Sequence, residues 1–407
     1  MANTKTLFDW AEKGGIVSLG IGAPDKTLLA QCSELMMMAS QHLVATGETS
    51  FLQYGPRLGD IDALKALASF LSKEYKAPVD VKNLMFNSGA SQGLKFLAGS
   101  LMQHGDTVFV EDPTYFIAIN VLVKDQGMNV VPVTTDEGGI DVEQLDQLMS
   151  KYASICSRPL TDKKPFRFMV YLTPTFNNPR GTDLTKERSV KLVQVLRKHK
   201  ALAICDDVYN VIYFKEDNLP NGRLFSYDNK SDPNYQGNVI SNASFSKILG
   251  PGLRLGWIEG PTHLLTMLSE SGYSCSGGCF NHYTGCIIGK AIELGLVSKH
   301  LEHSRKVYHS RMTALCDAID EYLPKVRYFR PSGGYFVWLE FPENIDTQEL
   351  LNVSKREYSV FFHVGPKCSC IGNFRNCARF SAAFYSEDIL KESIRKISLA
   401  LSKLMKE

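Results

Sequence analysis

Between about residue 83 and residue 260 the chain alternates short apolar runs with stretches of helical period, and this alternation limits the fold more than any other feature. "NLMFNSG" (83–89), "TVFVEDP" (107–113), "NVVPVTT" (129–135), "RFMVYLTP" (167–174), "ALAICDD" (201–207), "NVISNASFS" (238–246) and "RLGWIEG" (254–260) each have the length and composition of a buried strand. Between them, "SQGLKFLAGSLMQHG" (91–105), closed by Gly105, "YFIAINVLVKDQG" (115–127) and "TKERSVKLVQVLRKHK" (185–200) carry helical period. Strand, helix and strand repeated in this way give a mainly parallel, seven-stranded sheet with helices on both faces, an α/β fold.

After about residue 290 the texture changes. A long helical segment (288–323) leads to "VRYFRPSGGYFVWLEFP" (326–342), which reads as a pair of strands. "CARFSAAF" (377–384) reads as another strand, and residues 386–407 as a final amphipathic helix capped by Ser386. This is the pattern of a smaller α+β domain. A chain of 407 residues is too long for one core and accommodates both.

Charged residues make up 22% of the chain and the formal net charge is +2, which gives no reason to expect a nucleic-acid or membrane partner. The basic run "RKHK" (197–200) reads as a solvated helix end. The first fifteen residues show no targeting pattern, and no apolar run is long enough to cross a bilayer, so a cytoplasmic protein is expected. The 10 cysteines are then expected as free thiols. Cys275, Cys279 and His282 form one local grouping; Cys368, Cys370 and Cys377 form another. Neither has the paired C-x-x-C spacing of a structural zinc site, so small buried thiols and no metal are expected.

Polar and conformationally special residues gather where the strands end: 87–92, 112–115, 173–181, 206–209 and 244–247. Ligands of open α/β sheets bind outside the carboxyl ends of the strands, so these clusters can converge on one ligand. Ser244 and Ser246 beside Lys247, the fork of Arg254, and "SGASQG" (88–93) opening a helix suit a phosphate. An acid at another strand end, Asp206, suits a protonated ring nitrogen, and a lysine held near the same ligand suits a Schiff base. Pyridoxal phosphate needs that combination.

On these residues the chain resembles the class I/II aminotransferases, the fold-type I enzymes dependent on pyridoxal 5'-phosphate. The ordered motifs are "YGPRLGDIDALKALASFL", "TPTFNNPRG", "CDDVY" and "SFSKILGPGLRLGW"; the resemblance runs from about "SLGIGAPD" (18–25) to "ARFSAAF" (378–384). It implies a large domain at 41–290 and a discontinuous small domain of 1–40 and 291–407. It implies that Lys247 forms the internal aldimine and moves the Cα proton. Asp206 would hold the pyridine nitrogen protonated, and Asn178 and Tyr209 would hydrogen-bond the ring oxygen. Tyr115 would stack on the ring. Ala90, Ser91, Ser244, Ser246 and Arg254 would grip the phosphate. Arg379 would pair with the substrate α-carboxylate, with Gly22 against the substrate. Tyr54 would reach the neighbouring site of a homodimer. The Asp-x-x-Tyr spacing favours Asp206 over Asp207.

The reaction implied is ping-pong transfer of an amino group from an amino acid to a 2-oxo acid, in the style of the 2-aminoadipate and aromatic branch. The same fold and cofactor serve lyases and decarboxylases. A non-enzymatic regulator is the remote alternative, and the early start of the resemblance leaves no room for an added DNA-binding domain. Two departures bear on substrate choice: Arg180, where the Asn-Pro turn commonly has Thr, and the cysteine-rich "VGPKCSCIG" loop (364–372). An acidic co-substrate needs a second cation, for which Arg57 and Arg180 are the candidates.

Overall fold

The computed structural model describes residues 15–155, 158–215 and 219–405; the expectations about the first fourteen residues lie outside them. A short strand β1 (Val17–Ser18) precedes the helix Lys26–Ala45. The large sheet contains β2 (Leu84–Asn87), β3 (Thr107–Asp112), β4 (Asn129–Asp136), β5 (Gly139–Ile140), β6 (Phe168–Leu172), β7 (Ala201–Asp206), β8 (Val239–Ser244) and β9 (Gly256–Glu259). Its order is β2-β9-β8-β7-β6-β3-β4-β5. It therefore has eight strands rather than seven. The addition is the two-residue β5, which folds back antiparallel on β4 through the "DEGG" turn and is too short to register as an apolar run. Among the longer strands of this sheet β9 alone runs against the rest, antiparallel to both β2 and β8.

The middle strands are buried on both faces, as parallel strands covered by helices must be. β6 is buried throughout its length. Period-two alternation decides which side chain meets which layer. On one face Met85, Met169, Tyr171, Leu202, Ile204, Ile240 and Ile258 pack with Leu94, Leu97 and Leu101 of the helix Ala90–Leu101. On the other, Phe168, Val170, Leu172, Ala201 and Ala203 pack with Leu145, Met149, Leu192 and Leu196 from the helices Val142–Ala153 and Lys186–His199. Continuing the first series one step to the strand ends puts Asn87, Asp206, Asn242 and Ser244 on one side of the sheet.

β10 (Arg327–Tyr328), β11 (Phe336–Glu340), β12 (Val360–Phe361), β13 (His363–Val364) and β14 (Cys377–Ser381) complete the strands. Four form an antiparallel sheet in the order β10-β11-β14-β13, and β12 pairs in parallel with β1. Ala378 and Phe380 of β14 enter a second core with Ile394 and Ile397 of the helix Glu387–Leu404. Arg379 therefore faces the opposite way, with Trp338 and His363 as its register partners on either side. The helix Leu296–Tyr322 roots Val297, Leu301 and Tyr308 in a core beside the large sheet and Met312, Leu315 and Ile319 in the second core.

Several local expectations shift. The first sheet-covering helix ends at Leu101, capped by the Met102 N–H on Ala98 O, and Gly105 (φ 83°) serves the following turn instead. The 115–127 segment is a short α-helix, Phe116–Asn120, that widens into a π-turn at Val121–Asp125. Ser386 holds the N-cap position, but its hydroxyl makes no capping bond. Of the grouped thiols, Cys279, Cys368 and Cys377 are buried, Cys370 is half-buried and Cys275 is exposed. Among the described residues no helix is long and apolar enough to cross a membrane.

At the end of β9 the Glu259 carboxylate is buried and takes Nε and Nη2 of Arg223, the latter at 2.7 Å. The guanidinium also lies 4.7 Å from the Tyr75 ring centroid. Breaking such a pair from one side strands a buried charge, at a cost of about 3–5 kcal/mol. Arg223→Ala is expected to lower the urea midpoint by a corresponding amount, and Arg223→Ala/Glu259→Leu to recover part of it. A single variant as stable as the parent would contradict the pairing.

Candidate active site

At the carboxyl end of β7 the Asp206 side chain lies on the same face as Tyr171, whose hydroxyl donates to Asp206 Oδ2 at 2.6 Å. The other carboxylate oxygen, Oδ1, is buried and has no hydrogen-bond partner among the described residues. Burial raises the carboxyl to about 6, against the lowering effects of Tyr171 and Lys247. Asp207 follows the alternation to the other side, where Ser241, Asn210 and Arg223 surround it. Of the two adjacent acids, Asp206 is the one that faces Lys247.

Lys247 sits in the turn after β8, and its Nζ donates to Gly22 O at 2.5 Å. Enclosure of the amine lowers its pKa to about 8; Asp206 acts to raise it, while Arg379 and Arg254 lower it further. The backbone of the lysine is held too: the Tyr335 hydroxyl donates to Lys247 O at 2.8 Å. Gly22 has no room for a side chain, because a Cβ there would lie 2.5 Å from the Phe336 ring.

A cup lies beside these groups. The helix Ala90–Leu101 starts after Gly89 without a side-chain cap, so its first N–H groups are left for another acceptor. Gly89 adopts φ 93°, and a Cβ there would meet Arg254 Nη2 at 2.9 Å. Arg254 itself bonds Ser88 O through Nη2 at 3.1 Å. The Ser244 hydroxyl donates to Ser246 Oγ at 2.9 Å and accepts the Ser246 N–H. Buried amides brace the cup from below: Asn87 Nδ2 donates to Asn242 Oδ1 at 3.0 Å, and Asn242 Nδ2 to Ala90 O at 2.8 Å. Ala90, Ser91, Tyr115, Tyr171, Asp206 and Asn242 line one small cavity. Burial pushes the Tyr115 phenol up to about 12.

Arg379 closes the opposite side. It is 3% exposed, with Nη1 on Asn178 Oδ1 and Nη2 on Gly20 O, both at 2.9 Å. Its Cζ lies 4.0 Å from the Phe336 ring centroid, and its Nε is buried without a hydrogen-bond partner among the described residues. Tyr209 is buried, its ring 5.9 Å from Phe336, and burial holds its phenol well above the ordinary value.

The structure thus gathers Gly22, Ala90, Ser91, Tyr115, Asn178, Asp206, Tyr209, Ser244, Ser246, Lys247, Arg254 and Arg379 around the strand ends. Tyr54 stands apart, 80% exposed. Tyr171 and Asn242 escaped the sequence reading, as did the carbonyl of Gly20; Asn87 was included only as the start of the 87–92 cluster, without its role as a brace. A tyrosine inside "FMVYL" and asparagines inside "LMFN" and "VISNAS" are the signals that could have found the side chains, since a polar group in a fully buried strand needs a partner.

A desolvated lysine, an acid with one idle oxygen facing it, and an uncapped helix start beside two serines and an arginine match the aldehyde, ring nitrogen and phosphate of pyridoxal phosphate. The residues present fit that cofactor, and they define a pyridoxal-phosphate enzyme. A sequence model of the "Aminotransferase class I and II" family matches residues 15–397. The 2-aminoadipate transaminase of Thermus thermophilus is 28% identical, over 98% of this chain and 94% of its own. Aromatic-amino-acid aminotransferase 1 of Thermococcus litoralis is 26% identical, over 99% and 92%. The crystal structure of a kynurenine aminotransferase from Pyrococcus horikoshii, in complex with PMP, superposes with a TM-score of 0.85 at 26% identity, over 98% and 94%. The chain belongs to the class I and II aminotransferases, and is a transaminase dependent on pyridoxal phosphate.

In cofactor-free protein, acylation of Lys247 by an amine-selective reagent is expected to rise with pH about a midpoint near 8, followed by peptide mass spectrometry. Asp206→Asn removes the charge that supports the ammonium and moves the midpoint lower. A midpoint at the ordinary lysine value of 10.5 would contradict the enclosure.

Proposed function

We propose that Lys247 is the residue through which this transaminase exchanges amino groups between an amino acid and a 2-oxo acid, both half-reactions using one pocket. The observation that carries this reading is the enclosed Lys247 amine facing Asp206, whose Oδ1 has no partner of its own. Pyridoxal phosphate, when bound, supplies the electron sink that makes the substrate Cα proton removable.

The chain's own groups account for the rest. Lys247, with a pKa near 8, has an appreciable neutral fraction near neutral pH; it would take the proton from Cα of the donor in one half-reaction and give one to Cα of the product amino acid in the other. Asp206 offers Oδ1 to a ring N–H while Tyr171 fixes Oδ2. The N–H groups at Ala90 and Ser91, the hydroxyls of Ser244 and Ser246, and Arg254 hold the phosphate. Asn178 and Tyr209 would bond the ring oxygen, and Tyr115 would cover the ring. Arg379 would bind the α-carboxylate as a planar fork, with Gly22 close by, packed against the Phe336 ring.

Similarity to 2-aminoadipate and aromatic transaminases supports a bulky or acidic amino acid as donor. The exposure of Tyr54 and of Leu52 on one loop supports a homodimer in which Tyr54 reaches the neighbouring site. The described cysteines are free thiols, in keeping with the cytoplasm. We read 41–290 as the large domain and 1–40 with 291–407 as the small one. The β1–β12 pairing supports the discontinuity, although the helix Lys26–Ala45 crosses residue 41 and buries Leu28, Leu35 and Ala39 in the core beside the large sheet.

Absorbance spectra of the purified holoenzyme, taken before and after single amino acids, are expected to show the visible cofactor band collapse with the true donors. Lys247→Ala should lose at least about 10³-fold in turnover. Asp206→Ala should lose a comparable factor through the weakened electron sink. Arg379→Ala should act mainly through KM, with Arg379→Lys a poor rescue. A Lys247→Ala enzyme that still turns over would overturn the assignment.

A further inference from the structure

Neither Arg379 nor Lys367 pairs with a carboxylate among the described residues, yet the two cations flank one aromatic ring. Arg379 Cζ lies 5.6 Å from the Phe116 ring centroid and Lys367 Nζ lies 4.2 Å from it. Lys367 belongs to the turn Gly365–Cys368, between β13 and β14, within the loop whose sequence departs from the family pattern. The turn is fastened to the end of β3: the Thr114 N–H donates to Cys368 O at 2.8 Å, and Asn373 Nδ2 to Asp112 Oδ2 at 3.1 Å.

His363 determines where the amine points. It is the register partner of Arg379 and so shares its face of the small sheet. Its ring meets the Phe116 ring edge-on with centroids 5.1 Å apart, and its Nδ1 is 3.2 Å from Lys367 Nζ. Burial, together with the charges of Arg379 and Lys367, pushes the imidazole down to about 2, so the ring is neutral and Nδ1 accepts from the ammonium. His363 and Phe116 are thus positioning residues for a cation whose remaining N–H donors are uncommitted.

We infer that Lys367 receives the second carboxylate of a dicarboxylic amino acid or 2-oxo acid whose α-carboxylate is held by Arg379. This rests on the pocket assigned above. It adds Lys367, itself exposed, to Arg57 and Arg180, the cations that the sequence suggested for this contact. Arg57 is exposed on the loop before Gly59, and Arg180 lines a separate cavity with Arg327 and Glu340. Two like charges around one ring repel, and a dianion spanning them relieves both. A monocarboxylate with an apolar tail would instead desolvate Lys367 and leave it unpaired, so the same residue selects against such substrates. The rings of Phe116 and Phe336 provide the wall for the carbon stem between the two acids.

Calorimetry on the holoenzyme with glutarate, and with pentanoate as its monocarboxylic counterpart, tests the contact without turnover. Glutarate is expected to bind more tightly to the parent. Lys367→Met should reduce that preference roughly 10- to 100-fold, and Lys367→Arg should keep most of it. In steady-state kinetics the ratio of kcat/KM for 2-oxoglutarate over 2-oxohexanoate should fall in Lys367→Met, chiefly through KM for the diacid. A parent without preference for glutarate, or a Lys367→Met enzyme that retains it, overturns the inference. If glutarate behaves as expected while no 2-oxo acid is turned over, the Lys367 contact stands and the transamination reading of the pocket fails.

Discussion

A lysine amine taken out of water loses the hydration that stabilises its charge, and the arrangement of this active site follows from that loss. The amine has a carbonyl, Gly22 O, as its direct partner and a carboxylate, Asp206, as its electrostatic counterweight. Arg379 and Arg254 act in the other direction. The balance leaves an amine that releases its proton near pH 8, where an exposed lysine would hold it. Asp206 is itself penalised by burial, so one strained ionisation is set against another, and Tyr171 steadies the acid from behind. The segments that supply these groups are far apart in the chain: Asp206, Lys247, Arg254 and Tyr171 come from the large sheet and its turns, whereas Gly22 follows β1 and Arg379 lies on β14 of the small sheet.

The convergence of the large sheet's strand ends was legible in the sequence. Short apolar runs separated by helical segments gave the parallel sheet, and polar residues clustered after each run gave the ligand side of it. The order of Asp206, Ser244, Lys247 and Arg254 along the chain was enough to suggest the cofactor. The Asp-x-x-Tyr spacing favours Asp206 over Asp207, and the pleat supplies the physical reason. Only when Leu202 and Ile204 are known to face the helix Ala90–Leu101 does the even-numbered acid fall on the lysine's side.

What stayed hidden depended on register and on contacts between distant segments. β5 is two residues long and carries no periodicity of its own. The pairing of His363 with Arg379 joins two strands separated by an irregular loop, and nothing in "FFHVGPKCSC" announces that the lysine will lie over Phe116 from the other end of the chain. Gly20 contributes only a carbonyl, which leaves no side-chain trace in a sequence. The buried Asn87–Asn242 pair was visible as polar letters inside apolar runs, but its role as a brace under the phosphate cup emerges only from the neighbouring helix start.

The helix Leu296–Tyr322 is seated in two cores at once. At 27 residues it is about 40 Å long, so it works as a beam with both ends clamped. Each degree of tilt about the Val297 end carries the Tyr322 end through about 0.7 Å on that length. The far core supports the strand that bears Arg379. A change of tilt at the Val297 end would be multiplied by that length before it reached the core under the strand that bears Arg379.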